Sequence, residues 1–281
     1  MVVFLVYSIL PELRNEHGFM LRNYSAVTSI ALMIEIVRVL NVKEDMSYPI
    51  CITIAFMEYF CNLSGLFWLS TMSFNMWRTF RGFSSLQRNV RQPGKKTLVY
   101  YAIFAYGCPF VLAIVCVIVV DYVSEYLPYI LRPEFKIGFC WYPANHLEAF
   151  ILYNYWIATV CIISSICLSI SAARNIKRYE KDTNFSLTDS ESKQYNNNKK
   201  WLNLYIKLFI VSFIFAGINW FLYTILRFFA VQLYNFSYYI DIVSVLLNVV
   251  ENFFVFIIFV WRKKIKLMLL KRFGFKTNAS T

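Results

Sequence analysis

Six stretches of this chain are each apolar for about as long as a bilayer is thick, and that restricts its fold more than any other feature. A helix needs about 20 mostly apolar residues to cross a hydrocarbon core of roughly 30 Å. Phe19–Leu40, Tyr48–Trp77, Thr97–Tyr122, Leu147–Ala173, Trp201–Ala230 and Tyr238–Trp261 all reach that length. Hydrophobic residues make up 59% of the chain and charged residues 16%, against about half and about a quarter in a soluble domain. One water-facing core has no room for that much apolar surface. Because lipid offers the backbone no hydrogen bonds, spanning segments must satisfy their own, which predicts an all-α membrane protein. A further apolar run, Met1–Leu10, has only ten residues and reaches about 15 Å as a helix. We read it as the inner half of a helix that begins outside this sequence. A re-entrant piece would need shelter within protein, and a signal peptide would need a basic leader and a small-residue cleavage site. The expected architecture is a seven-transmembrane helix bundle with helix one incomplete.

Basic residues fix the expected orientation. The Trp77–Thr97 connection holds Arg78, Arg81, Arg88, Arg91, Lys95 and Lys96 with no acid, and the tail 262–281 holds Arg262, Lys263, Lys264, Lys266, Lys271, Arg272 and Lys276. The 174–200 segment opens with Arg174, Lys177 and Arg178 and closes with Lys199 and Lys200. The alternate connections carry Glu44 and Asp45, then Asp121, Glu125 and Glu134, then Asp241. Lysine and arginine mark the cytoplasmic side, so these basic segments and the C-terminus are expected inside. Residues 174–200 read as a flexible cytoplasmic loop, rich in Asn, Ser and Lys between Asp182 and Lys200. In the tail, Ile265, Met268, Leu269 and Phe273 fall at helical spacing with basic residues opposite, which suits a short amphipathic helix on the inner membrane surface.

The net charge of +12 sits in these loops and forms no stripe with a nucleic-acid-binding motif, so no nucleic acid is expected. Two histidines and seven cysteines without CxxC or HxxxH spacing give no metal site, and no phosphate loop or nucleophile elbow points to a cofactor or an enzyme. The halves do not repeat, which argues against an inverted-repeat transporter.

The candidate functional residues lie inside the spans or at their outer ends. Cys51 begins the third helix on the outside and Cys140 lies in the second outer loop; both face an oxidising compartment, which predicts a disulfide. Trp141 follows Cys140 and either packs on that lid or meets a ligand. Ionisable groups inside a span are costly and commonly functional. Glu58 lies two turns into the third helix. Glu251 lies near the middle of the last, flanked by Asn248 and Asn252, with Ser244 continuing the polar face. A structural polar network and a ligand or switch role both stand open for Glu58, Asn248 and Glu251. Asn219 and Trp220 on helix six face the same interior in one reading and serve packing in the other. Glu35 and Arg38, near the outer end of helix two, are expected to snorkel. His17 and His146 read as solvated loop residues, and Gly107-Cys108-Pro109 as a kink in helix four.

Several segments carry a resemblance. PELRNEHG (Pro11–Gly18), FWLSTMSFNMWRTFRGF (Phe67–Phe83), YAIFAYGCPF (Tyr101–Phe110), GFCW (Gly138–Trp141), KLFIV (Lys207–Val211), GINW (Gly217–Trp220) and FFVFIIFVWRKK (Phe253–Lys264) occur in order. On these the chain resembles the Methuselah-like receptors, an insect branch near the secretin and adhesion types of G-protein-coupled receptor. The resemblance implies a plasma-membrane receptor, an extracellular ligand (a peptide or small molecule), and a heterotrimeric G protein inside, met by Arg78, Arg81, Lys177 and Arg178. Its cysteine pair maps onto Cys51 and Cys140. Ala26 and Ser73 stand where secretin-type receptors place a switch histidine and glutamate, and Glu251-Asn252 where Gln-Gly is common. The family's extracellular ligand-binding domain has no counterpart in these residues. The rival readings are a six-span channel or transporter-like protein, which would need a pore-lining loop, and a non-signalling receptor fragment.

Overall fold

The structure, a computed structural model, describes residues 1–40, 47–84, 94–118, 126, 156–182, 189–229 and 234–272. Among the described residues all regular structure is helical, and six helices are long and apolar enough to cross a membrane. In chain order these are α2 (Glu16–Leu40), α3 (Tyr48–Ser84), α4 (Lys95–Ile118), α5 (Trp156–Asp182), α6 (Asp189–Phe229) and α7 (Tyr234–Phe259). A short helix, α1 (Val2–Ile9), precedes them, and α8 (Lys263–Arg272) follows.

Local chemistry explains how the chain enters α2. A 3-10 turn, Pro11–Leu13, leads to Asn15, whose side-chain oxygen accepts the Gly18 backbone N–H at 2.7 Å. That capping bond satisfies one of the orphan donors at a helix start. Gly18 is required here, since a Cβ would lie 1.8 Å from the Leu13 carbonyl oxygen. The short helix α1 buries Val3, Val6 and Tyr7, and the Tyr7 hydroxyl donates to the Phe259 carbonyl at 3.4 Å, joining it to the end of α7.

The central element is α3, which packs on α2, α4, α5 and α6. Its contact with α2 is close because Gly65 faces Thr28, whose methyl would stand 3.1 Å from an added Cβ. Contacts of α5 with α6, α6 with α7, and α7 with α1 and α2 close the circuit. The main apolar core fills the half of the bundle nearer the basic segments, around the fully buried Trp68, Met72, Phe80, Tyr205, Leu208 and Phe259. A smaller cluster, Tyr59, Leu63, Ala113 and Cys116, joins α3 to α4 farther up. Outward faces such as Ile103, Val111, Ile163, Phe213 and Phe253 are exposed, as suits side chains whose solvent is hydrocarbon.

Helices run past the apolar runs at the basic end. α3 has 37 residues and α6 has 41, about 55 and 60 Å at 1.5 Å per residue, well beyond the hydrocarbon thickness. Much of the segment read as a flexible loop is therefore helical, with α5 reaching Asp182 and α6 starting at Asp189. Tertiary contact is the reason. Tyr195 and Asn198 are buried, Tyr195 sets its ring edge-on to Phe80, and Lys199 pairs with Glu180. The Lys199 ammonium beside Glu180 holds that carboxyl below its usual range. In α8, Ile265 is buried and Met268 and Leu269 pack against the bundle core, so this apolar stripe faces protein. α4 continues through Pro109 without interruption.

Candidate functional site

The half of the bundle away from the basic segments is joined by polar side chains. Arg38 on α2 donates from Nε to Glu58 Oε2 of α3 at 3.1 Å and from Nη2 to Oε1 at 3.5 Å. One turn earlier on α2, Glu35 accepts a hydrogen bond from Asn248 Nδ2 of α7 at 2.8 Å. Asn248 Oδ1 in turn accepts from Asn219 Nδ2 of α6 at 3.1 Å. Four helices are thus linked at one level, and Asp241 of α7 acts electrostatically on the Arg38–Glu58 pair. Glu35, Arg38 and Glu58 are 9%, 8% and 6% exposed. The expected snorkelling of Glu35 and Arg38 is therefore wrong. Glu58 sits opposite Arg38 at the same depth, and a charge-assisted bond inside protein is available where lipid would offer none.

Deeper in the bundle Ser212 of α6 donates to Glu251 Oε1 of α7 at 2.8 Å, and the Tyr24 hydroxyl of α2 lies beside Ser212 and Glu251. On its own helix Asn252 Nδ2 donates to the Asn248 carbonyl, and Ser244 is buried on the same face. Glu58, Asn219, Asn248 and Glu251 are therefore all drawn into interhelical polar contacts. Trp220 is 51% exposed, on the flank of α6 turned out of the bundle, because 100° of helical rotation separates it from Asn219. Cys51 is disulfide-bonded, and Cys61, Cys108, Cys116, Cys161 and Cys167 are free. Cys140, Trp141 and His146 lie outside the described residues.

At the opposite end a second cluster forms around His17, which is 2% exposed. Its solvated-loop reading fails because the Asn15 cap starts α2 before it and turns the ring inward. His17 Nε2 is 3.2 Å from Asn198 Oδ1 of α6, the ring stacks on Trp201 at 5.0 Å, and Tyr205 Oη lies 3.4 Å from Nδ1. Of the basic candidates at this end, Arg78 is exposed but reaches the Tyr101 hydroxyl and acts on Glu16. Arg81 stacks over Trp77 at 5.1 Å, and Lys177 and Arg178 are exposed on α5.

In the sequence Glu35 and Arg38 read as snorkelling charges near the outer end of helix two and Asp241 as an acid marking an outer connection, so their place in these links was missed. Ser212, Tyr24, Asn198 and Tyr205 gave no signal, being ordinary helix residues whose partners lie tens to hundreds of positions away.

The arrangement, a helical bundle with polar links at one end and a closed apolar core at the other, can be compared with known proteins. No family model matches the chain. It is 26% identical over 276 residues to "G-protein coupled receptor Mth2" of Drosophila yakuba, covering 97% of this chain and 49% of that receptor. It is also 26% identical over 287 residues to "Probable G-protein coupled receptor Mth-like 10" of Drosophila melanogaster, at 97% and 46% coverage. To "G-protein coupled receptor Mth" of Drosophila melanogaster it is 28% identical over 216 residues, at 76% and 40%. The chain is a relative of the Methuselah-type G-protein-coupled receptors. It spans about half the length of the relatives it matches end to end. With its apolar helices, that kinship makes it a multi-pass membrane protein.

Proposed function

We propose that the chain is the membrane bundle of a receptor that passes an extracellular ligand signal to a heterotrimeric G protein. In this reading α1 occupies the place of the first of seven helices, the basic segments and the C-terminus face the cytoplasm, and the protein resides in the plasma membrane. The observation that carries it is the polar link Glu58–Arg38, Glu35–Asn248–Asn219. It joins α2, α3, α6 and α7 at the end that the positive-inside rule turns outward. A ligand entering there with unequal affinity for two arrangements of these four helices shifts the equilibrium between them. Glu251, bonded to Ser212 one level deeper, is positioned to register the change. Five of the seven cysteines are free and Cys51 is bonded, which supports Cys140 as its partner and Trp141 as part of the lid it pins.

At the basic end Arg78, Arg81, Lys177 and Arg178 offer cationic contacts to the G protein, beside their pull on anionic lipid. The test is guanine-nucleotide exchange on heterotrimeric G proteins by the receptor in cell membranes. Exchange above background is expected, and it should fall at least tenfold when these four charges are reversed at unchanged surface level. No exchange on any Gα class overturns the receptor reading. Full exchange after reversal overturns the role of the four residues.

A further inference from the structure

Lys207 stands where a lysine is costly. Trp201 of α6 stacks on Phe259 at the end of α7 with ring centroids 6.4 Å apart, and Arg262 and Lys263 follow on the chain. Trp201 therefore marks the level at which the apolar runs meet the headgroups. Lys207 lies six residues farther along α6, about 9 Å into the hydrocarbon at 1.5 Å per residue, and it is exposed on the outer flank of the helix. Charged groups at such depth ordinarily turn into the bundle or pair. Lys207 does neither. The chain carries no acid from Ser192 to Ile240, and among the described residues no ion pair engages Lys200 or Lys207.

Helix direction decides where its ammonium goes. Side chains lean toward the N-terminus of their helix, and α6 begins at the basic end, so Lys207 snorkels toward the headgroups with the lean of the helix. On that course it runs down the face that holds Asn203 and Lys200, four and seven residues back and both exposed. In the other direction the same face continues as Ile210 and Ile214, 54% and 50% exposed. One stripe of α6 thus offers an ammonium, an amide donor and a second ammonium, with an apolar track above them. That sequence of chemistries matches a phospholipid from headgroup to tails.

We infer that Lys200, Asn203 and Lys207 form a binding site for one phosphoinositide headgroup, with Ile210 and Ile214 taking its acyl chains. The two lysines lie about 10 Å apart along the axis, so they address phosphate at two depths. Lys207 meets the phosphodiester beside the glycerol, and Lys200 meets the ring phosphates that stand farther out. Phosphatidylserine carries a single phosphate and its own ammonium, which competes with the lysines. The inference takes from the proposed function only the orientation that sets this end in the cytoplasmic leaflet, where anionic lipids lie.

The test places the full chain in phosphatidylcholine nanodiscs doped with phosphatidylinositol bisphosphate or with phosphatidylserine at matched total charge, and reads lipid retained by native mass spectrometry. Both leaflets then carry the same lipid, so the result does not depend on orientation or on signalling. The bisphosphate should be retained in preference. K200Q and K207Q should each weaken its binding about fivefold, which corresponds to ~1 kcal/mol for one basic residue at an anionic surface. K207R should bind as wild type. K96Q, an exposed change of equal charge on α4, which packs on α3, should stay within about twofold, since diffuse attraction to one lysine elsewhere is weak. Unchanged binding in K200Q and K207Q, or an equal loss in K96Q, overturns the site. Equal retention of phosphatidylserine overturns its phosphoinositide character. Soluble inositol trisphosphate bound as tightly as the lipid overturns the membrane as its source. Bisphosphate retained by a chain that drives no nucleotide exchange upholds the site and counts only against the receptor reading.

Discussion

Removing Arg38 should destabilise this protein more than removing its partner Glu58, and the structure gives the reason. At 3.1 Å and an effective dielectric constant of 20, two unit charges attract by ~5 kcal/mol. Taking each ion out of water costs several kcal/mol, so the pair itself contributes little net stability. The asymmetry appears when one member is lost. R38M leaves Glu58 facing Asp241, with Glu35 one turn away and no cation between them. E58Q leaves Arg38 with both Glu35 and Asp241 to act on, and a glutamine oxygen still able to accept from Nε. Breaking a buried pair from one side costs about 3–5 kcal/mol; R38M should lie at the upper end and E58Q well below it. At about 2 °C per kcal/mol for a chain of this size, apparent Tm should fall by ~8–10 °C for R38M and about 2–4 °C for E58Q. R38M/E58Q should recover part of the R38M loss. The measurement is thermal unfolding of the detergent-purified protein, followed by the aggregation-free fraction on size exclusion. Equal losses for the two single variants, or a double variant equal to their sum, would refute the reasoning.

Three further outcomes follow from the same geometry. N248L removes the donor to Glu35 and the acceptor of Asn219 and should cost about 2 kcal/mol, read as an apparent Tm lower by roughly 4 °C. E251L should cost about 1–2 kcal/mol by removing the acceptor of the Ser212 hydroxyl, and E251L/S212A should cost at least as much, because it also takes Ser212 from the buried Tyr24 hydroxyl; chemical denaturation in mixed micelles compares the two. V111A, on an outward flank, should change stability by no more than about 0.5 kcal/mol. W68A, at a wholly buried site, should cost about 3–5 kcal/mol, and parallel Tm measurements on the two variants compare them.

The polar site was half legible in the sequence. Glu58, Asn248 and Glu251 declare themselves because polar groups inside an apolar run are conspicuous, and Ser244 and Asn252 fall on the same helical face. Their partners do not. Arg38 reads equally well as a snorkelling end-of-helix cation, and its direction is decided only by Glu58, 20 positions away. His17 reads as loop because it precedes the apolar run, whereas the Asn15 cap extends α2 backward over it.

Residues within one helix are set by the local chain: apolar length against bilayer thickness, caps, prolines and the asymmetry of lysine and arginine. For this reason the presence of six long apolar helices among the described residues, and an expected side for each connection, could be read from the amino acids alone. Which turn of one helix meets which turn of another depends on packing among side chains that are far apart in sequence. Only the folded bundle therefore decided that Arg38 turns to Glu58, that Asn248 bridges Glu35 and Asn219, and that a polar stretch of Asn and Lys becomes the start of α6, held by His17 and Glu180.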